Sequence, residues 1–403
     1  MDILSSDAPL DNEDNVDKLY NYIADLMRED KKKPETLICT LLSRCSCAKQ
    51  FDYYRRMVVH IFDEMVCAGC DCGEMIECGV VEFLLDSEEC EDASYRIGCL
   101  EGICNSNATC VQRIEKKVLD RLFAWVKARK VTADQVGFVL YIICAKCADV
   151  EMRKSVIQFC VIHPIKKELQ ACIVSKVMFD GNEEIYDMLK SLGLIDVVAE
   201  CMHDSENVSN DSVACCVEVM VMLTFGLEKY MQWVIDLDID FVMLMRNSKR
   251  CVQVHVARCI SNIAATWKYR SASVPHLIEL MKKSKRFESS VVYELIRGVY
   301  YIFAARHTPL TDMLHESGTL KASLAYMGEN ADCDWMLLTA METVSVDKLA
   351  QIRNDDKVFA KMANLAGDNK WDAPTCARYM RLWNLIKFDT THVTNELGRP
   401  SAD

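Results

Sequence analysis

The stretch NSKRCVQVHVARCISNIAAT, residues 247–266, reads as a polar turn followed by a helix. Val252, Val256, Ile260 and Ile263 recur three and four residues apart, the spacing of one helical face. A near-copy, KSKRFESSVVYELIRGVYYI, begins 36 residues later, at Lys283. Superposing Ser248 on Ser284 carries Val256 onto Val292, Ile260 onto Ile296 and Ile263 onto Val299. The three coincident apolar positions predict that two successive helices bury equivalent faces.

The same pattern extends outward. Upstream, GLIDVVAECMHDS ends at Ser205, and Val213, Val217 and Met220 then repeat the stripe. Further up, CGVVEFLLDSEE precedes CLEGIC, where Leu100 and Ile103 match Ile260 and Ile263. Downstream, SGTLKASLAYMGEN leads into DWMLLTAMETVS. Each unit reads as a short amphipathic helix, a turn and a longer helix, over about 40 residues, the period of armadillo and HEAT arrays.

The units GVVEFLLDS…CLEGIC and DFVMLMRNSKRCVQVHVARCISNIAAT resemble armadillo repeats, with Cys259, Ile260, Ser261, Asn262 and Ile263 as the best match to the core of the third helix. The likeness runs from about residue 35 to 365 and implies an all-α, right-handed α-solenoid of armadillo/HEAT-like repeats. It also implies a scaffold that grips proteins along its groove. Armadillo proteins that hold extended basic peptides place a Trp four residues before an Asn on successive third helices. Here the Trp-equivalents are Gly98, Cys215, Arg258 and Glu294, and the Asn-equivalents are Gly102, Val219, Asn262 and Gly298. Recognition of that kind is therefore not expected.

Composition agrees with helices. Only 14 Gly and 7 Pro serve 403 residues, too few for frequent β-turns. Pro34, Pro164, Pro275, Pro309 and Pro374 stand where helices could begin. No apolar run reaches a membrane span, and the acidic opening does not read as a secretory signal, so no membrane insertion and a cytoplasmic location are expected. In that setting the 22 cysteines are expected to be reduced, with Cys99, Cys215, Cys216 and Cys259 at small core sites. The expected organisation is an acidic N-terminus over 1–12, a single repeat domain over 13–365, a capping helix within 366–390 and a tail over 391–403.

The net charge of −13 is unevenly distributed. Residues 1–110 hold 10 basic and 23 acidic residues, whereas residues 240–310 hold 12 basic and four acidic. Stacked turns would set Lys249, Arg250, Lys285 and Arg286 along one edge. That edge reads either as solvated turns or as a docking site for an acidic segment of a protein partner. Nucleic acid is disfavoured by the acidic chain, with a pI near 5.2. On the third helices, His255, Arg258, Asn262, Glu294, Arg297 and Tyr301 are expected to face a partner, with Trp267 and Arg270 at the rim, since arginines and aromatics concentrate binding energy.

Chemistry is sparse. No phosphate-binding glycine loop, dinucleotide fingerprint, nucleophile elbow or HExxH motif occurs. No enzyme activity and no cofactor are expected. Cys67 and Cys70 form a C-x-x-C that Cys45 and Cys47 could complete as a zinc site, which leaves open a zinc-dependent N-terminal module, for instance in a ubiquitin-ligase substrate receptor. Free thiols are the alternative. A cysteine nucleophile paired with a distant histidine is the remaining enzymatic reading.

Overall fold

A computed structural model of the chain describes residues 52–86, 93–106, 116–147, 149–179, 181–246, 249–344 and 373–387, with short pieces before 52 and at 111 and 360–361. Pro34, Cys45, Cys47, Asn247, Ser248, segment 1–12 and tail 391–403 lie outside the described residues. Every regular element among the described residues is helical. Contacts divide the chain into two compact units, Met1–Val198 and Ala199–Asp403.

The first unit contains α1 (Asp52–Cys67), α2 (Cys72–Glu77), α3 (Val80–Leu85), α4 (Ala93–Ser106), α5 (Lys116–Lys127), α6 (Ala133–Lys146), α7 (Val150–Ile162), α8 (Lys167–Val177) and α9 (Glu183–Ser191). Helix α10 (Leu194–His203) spans the division. The second unit continues with α11 (Asn210–Phe225), α12 (Glu228–Asp236), α13 (Phe241–Leu244), α14 (Arg250–Ala265), α15 (Arg270–Lys282), α16 (Ser289–Ala304), α17 (Thr308–Glu316), α18 (Thr319–Leu324), α19 (Ala331–Glu342) and α20 (Ala373–Lys387). The last lies within the segment expected to cap the array.

In each unit the longer helices stack in chain order: α1 on α4, α4 on α6 and α6 on α8, then α11 on α14, α14 on α16, α16 on α19 and α19 on α20. The stripes read from sequence form these contacts. Val252, Val256, Ile260 and Ile263 of α14, and Val292, Ile296 and Val299 of α16, are at most 2% exposed. Cys99, Cys216 and Cys259 are buried as expected, while Cys215 is only half-buried. Bonds between successive long helices repeat the sequence period: Arg258 to Glu294 and Arg297 to Ser261 both span 36 residues, and Asn262 to Thr224 spans 38.

Helix starts follow local chemistry. Thr132 and Gln135 form a reciprocal capping box before α6, and the side chains of Asp149, Asn182, Ser209 and Asp240 accept from backbone N–H groups at the starts of α7, α9, α11 and α13. Pro309 sits in the first turn of α17. Pro275 departs from expectation, since it lies inside α15, which begins five residues earlier. The carbonyl its missing N–H leaves unserved is that of Ser271, an exposed residue, so water can satisfy it.

Helix ends use an unforeseen device. Arg270, 7% exposed, donates from Nε to the Ala264 carbonyl at 2.7 Å and from Nη2 to that of Ala265 at 3.0 Å, tying down the last carbonyls of α14. Arg153, 4% exposed, donates from Nε to the carbonyl of Cys147, the residue that ends α6, at 3.0 Å. Both bonds span six residues, from the end of a long helix to an arginine in the next. Arg96 does the same for α3, reaching the Phe83 and Leu84 carbonyls at 3.0 and 3.1 Å. A buried guanidinium is stable there because orphan carbonyls carry the helix's negative end.

Candidate functional site

The long helices of the second unit bring together most of the residues singled out on α14 and α16. Glu294, with its side chain 5% exposed, sits between two arginines: Arg258 Nε lies 3.0 Å from Oε1, and Arg297 Nη2 lies 2.9 Å from Oε2. The second contact is an ion pair without hydrogen-bond alignment. Arg297 also donates to Ser261 Oγ at 2.8 Å and to Asn262 Oδ1 at 3.1 Å, and the Asn262 amide donates to Thr224 Oγ1 at 3.3 Å. A polar ladder thus crosses α11, α14 and α16. It uses the amide of Asn262 within the chain, where the peptide-binding pattern would leave it for a ligand.

The remaining Asn-equivalent positions are packing contacts. Val219 is fully buried. A Cβ on Gly298 would stand 2.9 Å from Leu277 Cδ2, and one on Gly102 would stand 2.4 Å from Val66 Cγ1. A larger residue at either position would have to displace those side-chain ends, so glycine is favoured there by helix approach and not by backbone twist.

A cavity of about 460 Å³ opens beside the ladder, with Arg258, Tyr293, Glu294, Tyr326, Glu329 and Asp332 among its lining residues. Its field is negative. Cys333, also in the lining, is pushed up to about 12 by burial and then by Asp334, Glu329 and Asp332. Tyr293 is raised by burial, then by Asp332 and Glu294.

The other expected contacts have mixed fates. Glu294 and Arg270 are buried in structural roles, Glu294 between two arginines at the wall of the cavity and Arg270 on the carbonyls that end α14. His255 and Tyr301 are half-buried, and the Tyr301 ring lies 5.3 Å from that of Tyr300. Trp267 is 69% exposed, with the Arg270 guanidinium 5.4 Å and the His307 ring 5.8 Å from it. Along the basic edge, Lys249 pairs with Asp211, and Arg250 Nε lies 2.7 Å from Glu288 Oε2. Lys285 and Arg286 are exposed in a 3-10 turn, Ser284–Arg286, between α15 and α16.

Sequence reasoning missed a second run of side chains. The Tyr300 ring lies 5.3 Å from Trp335, and the Arg378 guanidinium, held by Glu342 through Nε at 3.1 Å and Nη2 at 3.0 Å, lies 5.9 Å over the same indole, so a mainly aromatic surface spans α16, α19 and α20. Trp335 is 48% exposed. The Trp in DWMLLTAMETVS is visible, but which face of its helix looks outward is decided by neighbours 35 and 43 residues away, Tyr300 and Arg378.

For zinc, Cys67 is exposed and Cys70 half-buried, and Cys45 and Cys47 lie outside the described residues. Among the described residues no group of three or more His, Cys, Asp or Glu could hold a metal ion. Among them, too, no helix is long and apolar enough to cross a membrane.

No protein family model matches the chain, and no curated protein matches it. Among solved structures, an engineered protein from the Northeast Structural Genomics Consortium is similar over 96% of this chain and 97% of its own, at 14% identity and a TM-score of 0.68. A designed armadillo repeat protein matches 56% of this chain and 96% of its own, at 14% identity and a TM-score of 0.44. Another, in complex with the peptide (KR)4, matches 66% and 98%, at 17% identity and a TM-score of 0.40. The first likeness is one of fold, and the two lower scores add nothing to it. Among the described residues the architecture is all-α, built of helical repeats whose long helices stack in chain order within each unit.

Proposed function

We propose that this chain is a non-catalytic scaffold or adaptor that holds a protein partner against the long helices of its second unit. The observation that carries the reading is the Tyr300, Trp335 and Arg378 run, in which three successive long helices place an exposed indole between a phenol ring and a guanidinium. Tryptophan, tyrosine and arginine dominate binding energy in protein interfaces, because each buries a large rigid surface and keeps a polar edge. Lys285 and Arg286 form the part of the basic edge that would meet an acidic segment of that partner, since Lys249 and Arg250 already face Asp211 and Glu288. Charge there would speed encounter more than it would tighten the complex.

The test is site-directed photo-crosslinking in the native cell. A photoreactive residue at 300 or 335 should trap the same protein, and one at exposed Ser271 on α15 should not. With the trapped partner purified, Trp335→Ala should weaken binding about tenfold or more, the mark of a hot spot. Equal trapping from 271, or unchanged affinity in a folded Trp335→Ala variant, would overturn the reading.

A further inference from the structure

We propose that Cys39 and Cys78 are a site of reversible oxidation, forming a disulfide when the protein meets a hydroperoxide. The inference is independent of the scaffold reading, since it rests on the first unit. Cys39 Sγ donates to Cys78 Sγ at 3.5 Å, although 39 residues separate the two in sequence. Cys39 is exposed and Cys78 half-buried, so an oxidant can reach the pair. Cys39 adjoins buried Leu37 and Ile38, which anchor its segment. Cys78 ends the short helix α2, and Gly79 turns the chain immediately afterwards with φ +88°. A disulfide is about 2.05 Å long, so about 1.5 Å must be closed, by side-chain torsion and by movement at the end of α2.

The core thiols offer a contrast. Cys160 and Cys259 are buried and pushed up to about 12 by that burial, and Cys99 and Cys144 are raised by it too. They are neither thiolates nor accessible at neutral pH, and the thiolate is the form that attacks peroxide. Burial withdraws these core thiols, and among accessible cysteines such as Cys67 and Cys251 the pair Cys39 and Cys78 is set apart by a second sulfur 3.5 Å away.

The chemistry balances in two steps. One sulfur, as thiolate, attacks a peroxide oxygen; the O–O bond breaks, the sulfur becomes a sulfenic acid, and the displaced hydroxide (or alkoxide) takes up a proton. The second sulfur, as thiolate, attacks the sulfenic sulfur; the S–S bond forms, the S–O bond breaks, and hydroxide leaves to become water. Two thiols and one hydrogen peroxide thus give one disulfide and two waters. A dithiol such as dithiothreitol reverses the change by exchange.

The experiment uses the full reduced chain and stoichiometric hydrogen peroxide, followed by alkylation and non-reducing peptide mapping. The expected product is a peptide pair joined through Cys39 and Cys78, two hydrogens lighter than the separate peptides, with alkylation of both lost and then restored by dithiothreitol. Cys39→Ser and Cys78→Ser variants, with helicity and Tm matching wild type, should each lose the joined pair and leave a sulfenic acid on the remaining cysteine that dimedone traps. Predominant linkage through other cysteines, linkage between copies, or unchanged alkylation of both residues would each overturn the proposal.

Discussion

Truncating Glu294 to alanine removes the acceptor that two arginines share, and the cost follows from how far each remaining group can reach water. The carboxylate side chain is 5% exposed, against 41% for Arg258 and 24% for Arg297. Removing one partner of a fully buried pair costs about 3–5 kcal/mol, because a charge is left uncompensated. Here both guanidiniums can rehydrate, and Arg297 keeps Ser261 and Asn262. That lowers the expected loss to about 2 kcal/mol. In a unit of this size the loss corresponds to a fall in Tm of about 4–8 °C. The opposite truncation, Arg258→Ala, should cost less, about 1 kcal/mol, because Glu294 retains Arg297 and the lost cation was partly hydrated. A cycle with the double variant should return a coupling of about 1 kcal/mol. Urea unfolding followed by circular dichroism reads all four proteins. An Arg258→Ala loss exceeding that of Glu294→Ala, or a Glu294→Ala loss under about 0.5 kcal/mol, would refute the view of Glu294 as the buried hub of the ladder.

Two other outcomes follow from the packing. Gly298→Ala would push a methyl group to 2.9 Å from Leu277 Cδ2 and 3.4 Å from Ser261 Cα, an overpacking loss of about 1–3 kcal/mol that Leu277→Val should partly recover; equal Tm for Gly298→Ala and wild type would contradict it. Burial pushes the Asp334 carboxyl above its ordinary value, with the Gly328 N–H and the Tyr379 hydroxyl acting in the opposite direction. A folded-state value above the unfolded one means that this group's contribution is fully present below the unfolded value, about 3.9, and is lost as pH rises through the folded value. Asp334→Asn should therefore gain Tm relative to wild type between pH 4 and pH 7, and a flat or falling difference in thermal melts would exclude that balance.

What was legible in the sequence is what a single helix determines about itself. The α14 and α16 stripes were readable because residues three and four apart share a face whatever lies opposite. The 36-residue offset was readable because a repeated face must stack on a repeated face. Glu294 was not: within its helix it looks like an outward acid, and only Arg258, 36 residues away, makes it a buried one. Arg270 looked like a rim cation for the same reason, since nothing local reveals that its guanidinium turns back onto the end of α14. At Asn-equivalent Gly102 and Gly298 the sequence showed the missing amide but not the neighbouring helix that occupies its place.

The arginine corners at 147–153 and 264–270 bear on how such an array can be recombined. Each cap joins the last residues of one repeat to the opening of the next, so the smallest self-sufficient cassette is not the repeat counted from turn to turn. A duplication or graft cut between Ala265 and Arg270 would leave one fragment with a frayed helix end and hand the other an arginine with no carbonyls to meet. A cut between Arg246 and Arg250 leaves both corners whole. Inherited insertions and laboratory chimaeras of this chain should accordingly find their tolerated breakpoints ahead of the long helices and not behind them.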